Sequence, residues 1–182
     1  MPTHSPHVYH LPHVYKTPKS VIHSLIDIVS KNGNLMLNIP VKGDGTIDSD
    51  ERAFLEAIAT WIPKHGEAIY GTRPFAIFGE GPPDVTNNSN FNESRQRAYT
   101  EEDVRFTRRG DTIYAFTFAW PISGKYVIKT LARGADVLPK PIQRVELIGA
   151  GPVTFTQDAT GLTLTVPATA PNPYAYAFIL RT

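Results

Sequence analysis

The run Asn34–Ile39, NLMLNI, constrains this chain more than any other stretch. It is short, almost continuously apolar and stopped by Pro40, the pattern of a strand buried on both faces as in a parallel sheet. A helical pattern lies on each side of it. One such strand has no neighbour to satisfy its ladder of N–H and C=O groups. The helix–strand–helix order from Ser20 to Gly71 therefore predicts the closing part of a larger α/β unit, with everything after it a separate all-β unit.

The first helix starts where Thr17 can cap and Pro18 fills the first helical position, which needs no N–H partner. Val21, Ile22, Leu25, Ile26 and Val29 recur at helical spacing and define its buried face, and Gly33 ends it. His23 falls off that face, which predicts a solvated or rim position. The second helix begins at a capping box, Asp48 with Glu51 three residues on, and buries Phe54, Ala57, Ile58, Trp61 and Ile62 before Pro63 and Gly66 close it. Between them, Gly43-Asp44-Gly45 reads as a turn in which Asp44 accepts local N–H groups. Asp44, Asp48, Asp50 and Glu51 could supply an acid/base pair, but turn and cap roles explain them more simply.

From Arg73 the pattern changes. Residues 84–103 are polar and aperiodic, a long surface loop. It holds two glycosylation sequons, at Asn87 and Asn92, to which no weight is attached. Seven short strand-like runs follow, Val104–Thr107, Thr112–Ala119, Tyr126–Leu131, Arg144–Leu147, Val153–Thr156, Leu162–Val166 and Tyr174–Leu180, which suggests an antiparallel sandwich. In the second run Ile113 and Ala115 oppose Tyr114, Phe116 and Phe118, so one face is expected in the core. Arg108-Arg109-Gly110-Asp111 and Thr160-Gly161 read as hairpin turns, and the two arginines as turn residues before anion ligands. The fold class expected is thus α+β, with boundaries at 1–16 (irregular), 17–72 (the helix–strand–helix segment), 73–103 (linker and long loop) and 104–182 (sandwich).

Composition removes several functions. A formal net charge of +1 gives no field to steer nucleic acid or an anionic membrane, so neither partner is expected. The chain has no cysteine, which excludes disulfides and thiolate chemistry. No apolar run approaches the roughly 20 residues of a membrane span, and the N-terminus lacks the basic-then-apolar order of a signal peptide. A soluble chain of undetermined compartment is expected. His4, His7, His10 and His13 are spaced by three, which invites a metal, yet Pro2, Pro6 and Pro12 work against a helix that would align the rings. An irregular terminus with no metal or cofactor is the simpler reading.

IDIVSKNGNLMLNIP, KGDGTID, WIPKHGEAIYGTRPF and FGEGP resemble the end of the catalytic barrel of α-L-fucosidases of glycoside hydrolase family 29. EDVRFTRRGDTIYAFTFAWP, RVELIGAG, GLTLTVP and YAYAFILR resemble that family's C-terminal sandwich, so the likeness runs from about residue 15 to 182. The resemblance implies a retaining exo-hydrolase of terminal α-L-fucose, with fucosylated glycans as partners. It also implies that the nucleophile, the acid/base and the fucose-holding histidines come from earlier barrel strands, so no catalytic residue is assigned here and the chain alone is expected to be inactive. Asn34 and Asn38 match the last barrel strand, with Asn38 near the end where barrel sites lie. Tyr9, His10 and Asn38 are the substrate-binding candidates. A carbohydrate-binding or structural module is the alternative, in which Tyr114, Trp120 and Tyr126 stack on sugar, although Trp120 before Pro121 also suits a core plug. The apolar face of the barrel segment is expected to meet a missing barrel portion or a second copy.

Overall fold

A computed structural model describes residues 16–83 and 97–182. Helix α1 spans Pro18–Ser30 and starts as its sequence requires, the Thr17 hydroxyl accepting the Ser20 N–H at 3.1 Å with Pro18 at the first turn. It ends one residue earlier than Gly33 suggested. Asn32 takes the left-handed conformation at φ 66°, its N–H reaching the Val29 carbonyl while the Gly33 N–H reaches that of Ile28. This is the paired closure that Asn supports almost as well as Gly.

Helix α2 spans Ser49–His65, with Asp48 Oδ1 accepting the Glu51 N–H at 2.8 Å. Pro63 sits inside its last turn and does not stop it; Gly66 does.

Asn34–Ile39 is not the expected strand. Its residues alternate between exposed and half-buried, only Asn38 makes an isolated bridge, and Met36 is 82% exposed. The reason is the one foreseen for a single parallel strand: no ladder neighbour for it exists among the described residues.

The strands are β1 (Arg73–Glu80), β2 (Val104–Arg109), β3 (Thr112–Thr117), β4 (Lys125–Ile128), β5 (Arg144–Leu147), β6 (Gly151–Pro152), β7 (Thr154–Asp158), β8 (Gly161–Thr165) and β9 (Tyr176–Arg181). All seven expected runs contain a strand. Residues 73–80, read as the start of a connection, form edge strand β1 instead, paired with β2 across a register shift between Pro74 and Gly79. At Gly79 an added Cβ would lie 2.3 Å from the Val104 carbonyl oxygen, so this close approach needs glycine.

Two antiparallel sheets result, β1-β2-β3-β9-β5-β6 and β4-β8-β7. Between them Phe106, Ile113, Ala115, Tyr126, Leu162, Leu164, Phe178 and Leu180 form one core. The other face of the larger sheet is also dry. Tyr114, Phe116 and Phe118 of the β3 region, with Ala177 and Ile179 of β9, pack under Ile22, Ile26 and Trp61 of the helices. The sheet therefore shares its outer face with the helices. Alternation along β3 sorts residues between two cores, where the sequence suggested one buried face.

Phe116 has no solvent exposure, whereas Ile122 is fully exposed. Phe116→Ala should cost about 3–5 kcal/mol by urea denaturation, and Ile122→Ala less than about 0.5 kcal/mol.

Candidate functional site

The candidates fall in different places. Tyr9 and His10 lie outside the described residues, as do His4, His7, His13 and both sequons. Asn38 is exposed on the Asn34–Ile39 segment. Asp44 and Asp48 hold the turn and the cap: Asp44 Oδ1 accepts the Thr46 N–H at 2.9 Å and its hydroxyl at 2.7 Å. Those two bonds hold the Asp44 carboxyl below its usual range.

The aromatic candidates are mostly inside. Tyr114 and Tyr126 are each 2% exposed and offer no ring face to a sugar. Trp120 packs at the rim of the inter-sheet core, edge-on to Tyr176 at 4.6 Å, its indole N–H on the Pro167 carbonyl at 3.2 Å. It is the core plug that its position before Pro121 allowed. Arg109 reaches the Tyr114 hydroxyl at 3.2 Å and Glu67 at 3.8 Å.

A cleft of about 580 Å³ opens between the end of β1, the Glu101–Glu102 turn and strand β4. Glu80 is its one firmly held carboxylate. Both oxygens accept backbone N–H groups, from Lys129 at 2.9 Å and Thr130 at 2.6 Å, capping the short 3₁₀ turn after β4. Asp103, fully buried, is committed to Arg97 and to the Thr100 N–H at 2.7 Å, and these partners outweigh burial to hold it low.

The most concentrated group of charges joins α1 to the sheet. Asp27 of α1 accepts from Arg105 Nε of β2 at 2.6 Å and from Lys31 at 2.7 Å. The Arg105 guanidinium lies 5.4 Å from the ring centres of both Phe78 and Tyr99 and 5.9 Å from that of Phe118. Burial would raise the Asp27 carboxyl, but bonds and charge from Lys31 and Arg105 hold it below its ordinary value. Tyr99 stacks on Phe118 at 4.1 Å, and burial, aided by the Asp27 charge, pushes its phenol up to about 12.

His23 completes this group and corrects its expected exposure. It is 9% exposed, edge-on to Phe118 at 4.9 Å, and its Nε2 donates to the Tyr174 carbonyl at 2.9 Å. Sequence reading missed the arrangement because only Asp27 and Lys31, at i and i+4, carried a local signal. Arg105 and Tyr99 arrive from more than 70 residues away.

These charges pair with one another where α1 meets the sheet. Two family models match the chain. One, described as Alpha-L-fucosidase, matches residues 3–67, and the other, described as Alpha-L-fucosidase C-terminal domain, matches residues 96–182. The chain belongs to the α-L-fucosidase family. An α-L-fucosidase of Branchiostoma floridae is 26% identical over 165 residues, covering 88% of this chain and 31% of that protein. The tissue α-L-fucosidase of Mus musculus is 27% identical over 167 residues, with the same coverage of each. The chain thus spans about a third of the length of the curated relatives it matches. Among solved structures, the Thermotoga maritima α-fucosidase in complex with fucose superposes on 99% of this chain and 38% of its own, with a TM-score of 0.75 at 24% identity. α-L-Fucosidase isoenzyme 1 from Paenibacillus thiaminolyticus gives 0.74 at 23%. These likenesses establish a shared fold, an α+β arrangement matching the C-terminal part of the family's structures.

Removing the Arg105 charge leaves Asp27 half-buried beside Lys31 alone. Arg105→Ala should cost about 3 kcal/mol by urea denaturation. In the parent, the contribution of Asp27 should be complete above its ordinary value of 3.8 and fade as pH falls below it, because the folded carboxyl is the stronger acid. Asp27→Asn should flatten that part of the stability profile.

Proposed function

We propose that this chain serves as the C-terminal part of a retaining α-L-fucosidase acting on terminal α-L-fucose of glycans, and that alone it does not hydrolyse fucosides. The reading divides the work: residues 17–72 close the barrel and 104–182 form the sandwich that carries it. The tandem match of a catalytic-domain model and a C-terminal-domain model, in family order, is the observation that carries it.

The chemistry of the described acids supports the second half. A retaining glycosidase needs two carboxyl groups about 5 to 5.5 Å apart across the scissile bond, one of them kept protonated by a raised pKa. Asp27, Asp44, Asp103 and Asp158 are all held low, the opposite of what a general acid requires. Glu80 of the cleft has both oxygens on backbone N–H groups. On this reading the exposed segment around Met36 and Val41, 82% and 57% exposed, is where the remainder of the barrel packs.

The purified chain should release no nitrophenol from 4-nitrophenyl α-L-fucoside above the blank, and calorimetric titration with fucosylated oligosaccharides should show no saturable heat. Turnover that co-purifies with the chain would overturn the assignment of chemistry elsewhere. Saturable binding without turnover would favour the sugar-binding module.

A further inference from the structure

The two helices grip adjacent peptide groups. His23 of α1 donates Nε2–H to the Tyr174 carbonyl at 2.9 Å, and Trp61 of α2 donates its indole N–H to the next carbonyl, Ala175, at 3.1 Å. Asn172 stiffens this turn, its side chain accepting the Tyr174 and Ala175 N–H groups and donating to the Ala175 carbonyl. His65 stacks flat on Trp61, ring centres 4.2 Å apart and 5° from parallel. Both described histidines therefore stand at the fastening that joins the helical layer to the entry of β9.

A second proton on either imidazole would meet unfavourable surroundings. His65 Nδ1 faces the Trp61 carbonyl at 2.9 Å, which fixes the proton there and leaves Nε2 bare, buried and without a hydrogen-bond partner. Protonating it would place an N–H with no acceptor and a charge in an apolar interface. His23 is edge-on to Phe118 and Tyr99, the rings that Arg105 already faces with a positive charge. Lys19 is a further positive charge acting on it, and Asp27, one turn along α1, is already paired with Lys31 and Arg105. Around the end of α2 stand Lys64 and the Arg109–Glu67 pair, with the Tyr114 hydroxyl on Arg109. The core between the two sheets holds no histidine among the described residues.

We propose that the helical layer is an acid-released clasp: mild acid charges His23 and His65 and frees α1 and α2 from the six-stranded sheet, while the sandwich beneath stays folded. Burial lowers both imidazoles, more than the Tyr174 and Trp61 carbonyls raise them. The folded state then binds fewer protons than the released one below about 6.5, so the clasp is fully fastened above that pH and loosens as pH falls through it. Each histidine contributes up to about tenfold in the opening equilibrium per pH unit.

Hydrogen exchange of the whole chain, corrected for intrinsic rates, tests this between pH 7.5 and 5. Peptides from α1 and α2 should lose protection, by up to about a hundredfold per pH unit once both imidazoles titrate, and those from β4, β7 and β8 should keep it. In His23→Gln/His65→Gln the helical response should vanish. Equal loss in both layers, no loss in the helices, or an unchanged response in the double variant, which would assign it to other histidines, would each overturn the proposal. If the double variant does not fold, proton NMR titration of the parent decides: both imidazoles must titrate below 6.5, and a value at or above it for either one overturns the clasp.

Discussion

The structure depends on one strand pair being dry on both sides. β3 and β9 lie at the centre of the six-stranded sheet, paired from Thr112–Arg181 to Thr117–Tyr176. Their alternate side chains feed two separate cores. Antiparallel sheets commonly leave one face to water. Here Tyr114, Phe116 and Ile179 would be that wet face, and they are covered only because α1 and α2 lie over them. The helices and the sandwich consequently stabilise one another, which explains why the sheet's own outer residues are as apolar as its inner ones.

Polar contacts then fix how the helices sit on that greasy face. Apolar packing sets no register by itself, whereas the Asp27–Arg105 pair and the two donors to Tyr174 and Ala175 are directional. Arg105 serves both needs, its guanidinium paired to Asp27 and its flat surfaces against Phe78, Tyr99 and Phe118. In this member of the α-L-fucosidase family, the helices matched by the first family model and the sheets matched by the second are held together through side chains as well as through the connecting peptide. Asp27, Asp44 and Asp48 are engaged in this clamp, a turn and a cap respectively.

Local chemistry was legible. Thr17 and Asp48 cap the helices they were expected to cap, Asp44 makes its turn, and every expected strand after residue 104 is present. Three readings failed for a common reason. Arg73–Glu80 looked like the start of a connection because its apolar run passes straight into a Gly- and Pro-rich stretch, yet an edge strand tolerates Pro74 beside a register shift. Asn34–Ile39 looked like a buried strand because its composition is apolar, but pairing requires a neighbour. His23 looked solvated because helical periodicity was reckoned against one apolar stripe, while the helix is covered from several directions.

The sequence by itself determined where helices start, which residues make turns, and the family, because caps, turn residues and motifs act over a few residues. Only the tertiary structure decided that both faces of the sheet are buried, that Arg105 meets Asp27, that the two histidines are enclosed, and that NLMLNI stays unladdered. Each of those depends on groups brought together across long stretches of chain, where packing and the supply of hydrogen-bond partners, rather than local propensity, select the outcome.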